Sequence, residues 1–296
     1  MLIMSKKEIC LNGYKIGKNL PPYFIAEIGI NHNGDVNIAK RLIDAAFACG
    51  WQSVKFQKRT PDIAVPEDQK QMMRDTPWGR ITYLEYKKKI EFEKAEYDEI
   101  DRYAKDKPIS WSASPWDIPS LDFLLSYDVP YIKIASALMN NDELVIKACQ
   151  SGKPIILSTG MSTEEEIDHA VKLLEEYSIG EYVLMHTNSV YPSEDENINL
   201  LVMKAFEEKY DCLVGYSGHE LGTFPTEAAM LMGACVVERH VTLSHEMWGT
   251  DQRASIEIPE MYRLVRKSRQ MRDILGSGMR TLSNDELEVR KKLRGK

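Results

Sequence analysis

The feature that most constrains the fold of this chain is a repeated alternation of short apolar runs with stretches of helical spacing. Eight β-branched runs occur, at residues 23–28, 53–56, 109–112, 131–135, 154–157, 182–186, 212–216 and 235–240. Near-continuous apolar strands that alternate with helices predict a parallel sheet with both faces covered. Eight such units in 296 residues predict a (β/α)8 barrel, with a doubly wound open sheet as the alternative.

Local sequence signals predict two of the helices and the structure of the N-terminal segment. Residues 35–47 have helical spacing, and a second helix begins at Thr163 with a capping box that Glu166 completes. Residues 9–17 predict instead a β-hairpin with a turn at Asn12 and Gly13, which we expect to plug the barrel floor. We therefore predict a single domain over residues 1–296, with a hairpin segment at 1–20.

One connection, residues 58–93, is longer than the loops of compact domains. It separates the second strand from a helix predicted at 94–105. It contains four aromatic residues: Trp78, Tyr83, Tyr86 and Phe92. A long connection with this composition predicts an ordered lid or a subunit contact.

Composition excludes several classes of function. The formal net charge is -7 with no clustered basic face, so we expect no nucleic-acid partner. No run approaches about 18 consecutive apolar residues, and the N-terminus lacks the apolar core of a signal peptide, which predicts a cytoplasmic protein without membrane contact. The five cysteines are scattered without a C-x-x-C pair, which predicts reduced and mostly buried thiols.

Polar residues at the ends of the predicted strands point to chemistry, because these ends face the common mouth of a barrel. His219 and His240 close the last two strands, where two imidazoles could share one divalent metal. Lys55 and Lys133 lie inside apolar strands, which is costly unless an anion or a carboxylate meets them. These residues predict an enzyme with a phosphorylated or carboxylated ligand.

Each of these residues also has a structural interpretation. Strand histidines are often hydrogen-bonded core residues, and strand lysines can extend their ammonium groups to solvent. Glu27, at the end of the first strand, can be the partner of a lysine.

Six motifs occur in a specific order: FIAEIGINHNGD at 24–35, VKFQ at 54–57, YIKIAS at 131–136, LSTGM at 157–161, GYSGH at 215–219 and ERH at 238–240. Together they resemble the N-acetylneuraminate (sialic acid) synthase family, from residue 23 to about residue 255. The resemblance implies a (β/α)8 barrel that condenses phosphoenolpyruvate with an open-chain sugar aldehyde, N-acetylmannosamine or a related hexose. The products would be a sialic-acid-like nonulosonic acid and phosphate. The cofactor would be a divalent metal, manganese first, with magnesium or cobalt as alternatives.

The resemblance also implies roles for individual residues. Glu27, Lys55 and Lys133 would be catalytic, with Glu27 as the acid or base. His219 and His240 would bind the metal and leave open coordination positions for water and the aldehyde oxygen. Substrate would be bound by Gln57, Ser114, Ser136, Ser158, Ser189, Tyr191, Ser217 and Asp251. Among these, the serines and the two lysines would surround phosphoenolpyruvate, whereas Gln57, Tyr191 and Asp251 would contact sugar hydroxyls.

The chain also departs from the family pattern in the sugar half of the site. Gly218 stands where an aspartate is frequent, and residues 249–255 replace a common Asp-His motif. Typical bacterial members continue into an antifreeze-like domain that lends an arginine to the sugar, and the printed sequence has no counterpart of this domain. We therefore expect an altered acceptor, contacts from the 58–93 segment through Arg74, Arg80 or Trp78, or a separate lid protein. A homodimer would form through the barrel itself.

Other activities remain as alternatives. The chain can be a related 3-deoxy-sugar-acid synthase acting on a phosphorylated sugar, a metal-dependent aldolase, or a non-catalytic barrel that binds sugar acids. Phosphate release that depends on phosphoenolpyruvate distinguishes the synthases from an aldolase, which uses pyruvate.

Overall fold

The computed structural model describes residues 7–295 and contains the predicted barrel. The strands are β1 (Glu8–Leu11), β2 (Tyr14–Gly17), β3 (Tyr23–Gly29), β4 (Ser53–Lys58), β5 (Met73–Thr76), β6 (Gly79–Thr82), β7 (Ser110–Pro115), β8 (Ile132–Ile134), β9 (Ile155–Ser158), β10 (Tyr182–Thr187), β11 (Leu213–Gly218) and β12 (Val236–His240). The helices are α1 (Val36–Cys49), α2 (Pro61–Ala64), α3 (Tyr83–Ile90), α4 (Lys94–Asp106), α5 (Ile118–Leu125), α6 (Asp142–Gln150), α7 (Glu164–Tyr177), α8 (Leu201–Tyr210), α9 (Phe224–Leu231), α10 (Ile258–Leu275) and α11 (Asn284–Arg294).

Eight parallel strands form the barrel in the order β7-β4-β3-β12-β11-β10-β9-β8. This order follows the chain from β3 to β12, and β12 then pairs with β3. β7 lies beside β8, and there the Ser112 hydroxyl donates to the Tyr131 carbonyl at 2.8 Å. The fold is therefore a closed (β/α)8 barrel, and the doubly wound alternative is wrong.

The helices form where the sequence places caps and apolar faces. The Asp35 carboxylate accepts from the Asn37 amide at the start of α1, and Gly50 ends the helix with a φ of 82°. The predicted capping box of α7 is present, because Thr163 and Glu166 each accept from the other's backbone amide. These caps fix where each helix starts, and its apolar face then packs on the barrel.

The predicted N-terminal hairpin is formed by β1 and β2. Asn12 and Gly13 both have positive φ, 46° and 84°, as the tight turn requires. Leu11 and Ile16 pack with Tyr131 and other residues inside the barrel. The hairpin thus closes the floor, and a site can open only at the opposite end. Residues 1–6 of the predicted 1–20 segment lie outside the described residues.

The long connection after β4 is folded into α2, the antiparallel β5–β6 hairpin and α3. Its Trp78 and Tyr86 rings contact Trp248 of the loop after β12, at centroid distances of 5.9 and 5.3 Å. The predicted start at Lys58 is wrong, because this residue ends β4. Its buried ammonium group is held there by Glu91 at 2.9 Å.

None of the described helices is long and apolar enough to cross a membrane. The five cysteines are free thiols. Cys10 is exposed, and the other four are buried as predicted.

Candidate active site

A cavity of about 220 Å³ opens at the carboxyl ends of the barrel strands, opposite the hairpin. All eight barrel strands, or the residues directly after them, contribute to its lining, because parallel strands end at the same rim. Every predicted site residue except Asp251 lines it: Glu27, Lys55, Gln57, Ser114, Lys133, Ser136, Ser158, Ser189, Tyr191, Ser217, His219 and His240. The structure thus brings together residues that are up to 213 positions apart (27 to 240).

Two buried lysines lie in the base of the cavity. Lys55 forms an ion pair with Glu27 and donates to the Ser114 hydroxyl at 3.0 Å. Lys133 donates to the Ser158 hydroxyl at 2.6 Å. The contact between Glu27 and Lys55 is the one that the structural interpretation of Glu27 anticipated. In the cavity it places a carboxylate and an ammonium group side by side, where a substrate can contact both.

A second buried carboxylate, Glu238, lies between the two lysines. One of its oxygens is 3.7 Å from the Lys133 ammonium and the other is 3.9 Å from that of Lys55. The Ser217 hydroxyl donates to it at 3.1 Å. The site predictions omitted Glu238, although a charged residue inside an apolar strand carries the same signal that identified the lysines.

Burial and mutual charge shift the pKa values of this group in different directions. Burial lowers the pKa of Lys133 to about 8, although Glu238 opposes this shift. Burial also raises the pKa of Glu27 above its usual range, with Lys55 acting against it. For Glu238, burial raises the pKa, but the fields of Lys133 and Lys55 bring it below its usual value. Of the two carboxyls, Glu27 therefore has the greater tendency to exchange a proton near neutral pH.

The two predicted metal ligands, His219 and His240, are buried with ring centroids 5.5 Å apart. Nδ1 of His219 lies 2.6 Å from the Asn188 carbonyl, so it carries the proton and leaves the Nε2 lone pair available. Burial lowers the pKa of His219 to about 3, which keeps the ring neutral. Neutral imidazole oriented by a backbone carbonyl is the usual state of a metal-binding histidine.

His240 differs in that its buried Nδ1 has no hydrogen-bond partner within residues 7–295. The nearest acidic group is Asp251, at 3.8 Å. In the described part of the chain, no three histidine, cysteine or acidic side chains gather as a closed metal cluster. The residues present therefore fit a metal that is held by two imidazoles and keeps open coordination positions for substrate. They do not fit a structural metal, which needs a closed set of protein ligands.

Serine hydroxyls surround Gly160 on the side of the cavity formed by β8, β9 and β10. The Gly160 amide donates to the Ser136 hydroxyl at 3.0 Å. A Cβ at position 160 would lie 2.3 Å from the Ser189 hydroxyl and 2.9 Å from that of Ser136. Only glycine allows both hydroxyls to approach this backbone.

Aromatic and amide side chains form the other side. The Gln57 amide donates to Glu27 at 3.2 Å and accepts from the Arg59 guanidinium, which stacks on Trp116 at 3.9 Å. The Tyr191 ring contacts that of His219 at a centroid distance of 3.9 Å. Besides Glu238, the lining includes five residues that were not among the predicted site residues: Trp116, Ala135, Ala137, Met161 and Thr187.

A (β/α)8 barrel whose mouth combines buried lysines, carboxylates and two imidazoles has the construction of an enzyme for an anionic substrate. Comparison with known proteins defines the family. The NeuB family profile matches residues 42–280, and the chain belongs to the NeuB family.

Individual relatives support this assignment. The chain is 34% identical over 291 residues to N-acetylneuraminate-9-phosphate synthase of Homo sapiens, covering 97% of this chain and 80% of the human protein. It is 33% identical over 287 residues to N,N'-diacetyllegionaminic acid synthase of Legionella pneumophila, covering 95% and 81%. A crystal structure of N-acetylneuraminic acid (sialic acid) synthetase from Leptospira borgpetersenii, in complex with citrate, superimposes with a TM-score of 0.86. It has 33% sequence identity and 99% coverage of both chains.

Proposed function

We propose that the protein condenses phosphoenolpyruvate with an open-chain aldose, N-acetylmannosamine or a related hexose, to give a nonulosonic acid and phosphate. The observation that carries this proposal is the convergence of Lys55, Lys133, His219 and His240 in one cavity of a NeuB-family barrel. The relatives are named as synthases of different nine-carbon sugar acids, which supports the reaction type and leaves the acceptor sugar open.

In this proposal the lysines bind phosphoenolpyruvate. Lys55 and Lys133 offer positive charge to its phosphate and carboxylate, and hydroxyls around Gly160 supply neutral donors. The hydroxyls at Gly160 are those of Ser136 and Ser189, and the cavity serines Ser114, Ser158 and Ser217 add three more. Glu238 keeps both lysines close together in the absence of an anion.

His219 and His240 hold the divalent metal, for which we propose manganese first and magnesium or cobalt as alternatives. When bound, such a metal supplies a Lewis acid that polarises the aldehyde carbonyl. Tyr191, stacked on His219, and Gln57 lie where they can orient the sugar hydroxyls. Asp251, beside His240 at the rim, completes this set.

Glu27 acts as the acid or base. In the reaction, C3 of phosphoenolpyruvate forms a bond to the aldehyde carbon, water adds to C2, and phosphate leaves by cleavage of the C2–O bond. Glu27 removes the proton from the attacking water or gives one to the aldehyde oxygen, which its raised pKa favours. Gln57 and Lys55 hold the carboxyl in place for this transfer.

The test is phosphate release from phosphoenolpyruvate with manganese and a panel of aldoses that includes N-acetylmannosamine, mannose and 6-deoxy sugars. We expect phosphate and a nonulosonic acid of the corresponding mass with at least one acceptor. Activity with pyruvate and no phosphate would instead indicate an aldolase. Sugar-acid binding without turnover of any acceptor would support the non-catalytic barrel.

We also propose that the chain forms a homodimer through the barrel and the segment after β4. Side chains of this segment remain exposed, including Ile63, Met72 and Met73. Light scattering should give twice the mass of the chain, and a monomer at all concentrations would contradict the proposal.

A further inference from the structure

Lys87, in α3 of the segment after β4, is a buried cation without a counter-ion. Only 9% of it is exposed, and its ammonium group makes no hydrogen bond or ion pair with any residue from 7 to 295. Its contacts are the faces of Tyr83 and Tyr86, at 5.2 and 5.3 Å. Lys58 provides the contrast, because its buried ammonium is bound by Glu91 and by the Phe92 carbonyl, both at 2.9 Å.

Arg59 is a second buried cation on the same side of the barrel mouth. Its guanidinium donates one hydrogen bond, to the neutral Gln57 side chain, and forms no ion pair with a described residue. Guanidinium has five N–H donors, so most of them are left without an anion. Its stacking on Trp116, which lines the cavity, places it at the edge of the active site.

Arg74 brings a third cation to this group. Its guanidinium lies 4.1 Å from the Tyr83 ring, the same ring that Lys87 contacts. Asp251 lies 3.8 Å from His240. Its negative charge acts to raise the pKa of both Arg59 and Lys87, but it forms an ion pair with neither. The group therefore lies at the side of the barrel mouth where β4 ends, within the electrostatic field of Asp251.

Burying Arg59 and Lys87 without a partner is costly, which makes a purely structural role for these two a poor explanation, and the half-buried Arg74 adds further positive charge beside them. Burial, with Arg59 as the next cause, lowers the pKa of Lys87 to about 7. An incoming anion would remove this cost. Arginine and lysine together are the usual ligands of a phosphate group, since guanidinium binds two phosphate oxygens at once.

We propose that Arg59, Arg74 and Lys87 form a subsite for a phosphate group on the acceptor sugar. The subsite rests on the proposed condensation and narrows its acceptor to a phosphorylated aldose. The lysines in the base of the cavity take phosphoenolpyruvate, and this second basic group takes the far end of the sugar. The segment after β4 is then a specificity element of the active site.

The test compares N-acetylmannosamine with N-acetylmannosamine 6-phosphate as acceptors, following phosphoenolpyruvate consumption and product mass. Wild type should prefer the phosphorylated sugar by roughly tenfold or more in kcat/KM, as a charge-assisted contact predicts. Lys87→Met and Arg59→Gln should lose this preference through a higher KM for the phosphorylated sugar. The matched control is Lys88→Met, which removes a neighbouring exposed lysine paired with Asp62 at 2.8 Å.

Three results would overturn the subsite: a wild type that prefers the unphosphorylated sugar, a Lys87→Met variant that loses activity equally with both sugars, or inorganic phosphate that binds as tightly as the sugar phosphate. Calorimetric binding of N-acetylmannosamine 6-phosphate separates this proposal from the condensation. If neither sugar is consumed, the condensation fails. The subsite is then supported by binding that Lys87→Met abolishes and contradicted by binding that it leaves unchanged.

Discussion

At the scale of single residues, the base of the cavity is an alternation of charges from Glu27 through Lys55 and Glu238 to Lys133. Each buried charge has an opposite charge beside it, which reduces the cost of holding all four away from water. Phosphoenolpyruvate would compete with the two carboxylates for the lysines. The same contacts therefore stabilise the empty site and set the charge that the substrate meets.

Lys133 gives this site a predicted pH dependence. Its pKa of about 8 means that the ammonium form dominates below pH 8 and is lost as the pH rises through that value. We expect kcat/KM for phosphoenolpyruvate, which reports the free enzyme, to fall above about pH 8. A Lys133→Arg variant stays protonated and should lose this decline. A wild-type profile that is flat to pH 9.5 would contradict the role of Lys133.

His240 should be needed for metal binding. Mutation of a residue that only hydrogen-bonds to a metal ligand typically weakens metal binding by roughly 10–100-fold. His240→Ala removes a ligand itself and should weaken manganese binding by more than this. Titration followed by electron paramagnetic resonance measures this without turnover. His169→Ala is the control, since His169 is exposed and pairs with Asp142. Equal manganese affinity in both variants would show that His240 does not bind the metal.

The sequence could predict these positions because residues at strand ends must share the barrel mouth. It could not predict Trp116, since an aromatic residue after a strand is as common in a core as in a cavity. Glu238 carried a signal, but its place between two lysines depends on residues 78 positions or more apart (55, 133 and 238). The lack of a counter-ion at Lys87 could not be predicted, because it depends on which residues surround this side chain in three dimensions.

At the scale of elements, the ends of β11 and β12 are joined by a fully buried ion pair, Arg239 with Glu220 at 2.8 Å. Arg239 precedes His240 and also donates to the Glu220 carbonyl at 2.8 Å, while Glu220 follows His219. Removal of one partner leaves a buried unpaired charge, so Arg239→Met should cost roughly 3–5 kcal/mol of unfolding free energy. Urea unfolding measures this loss. The double variant with Glu220→Leu should recover part of it, and no recovery would show that the loss is not electrostatic.

The N-terminal hairpin is predicted to affect stability and not catalysis. Leu11 is fully buried at the barrel floor, so Leu11→Ala should lower the unfolding free energy by about 2–5 kcal/mol. KM for phosphoenolpyruvate should stay unchanged because the cavity lies at the other end. Leu293→Ala, at a side chain that is 76% exposed, is the matched control. A changed KM in Leu11→Ala would contradict this separation.

The strands and helices of the barrel could be predicted from the sequence more directly than the structure of the connection after β4. Apolar runs and caps are local signals, so they identified the barrel strands and the start of α7. The β5–β6 hairpin has no buried apolar face of its own, as its residues are exposed or half-buried. Its place depends on the contact of Trp78 with Trp248, which lies 170 positions away (78 to 248).

At the scale of the whole molecule, the cavity is the point where all eight barrel strands end, so a ligand there contacts residues from every part of the sheet. Local opening of any strand would therefore release it, and binding should be linked to global unfolding. Phosphoenolpyruvate at 100 times its Kd should add about 2.7 kcal/mol to the unfolding free energy. Thermal unfolding with and without phosphoenolpyruvate measures this gain, which Lys133→Met should lose and Lys147→Met, at a surface ion pair with Asp122, should keep. An equal gain in both variants would mean that phosphoenolpyruvate binds elsewhere on the barrel.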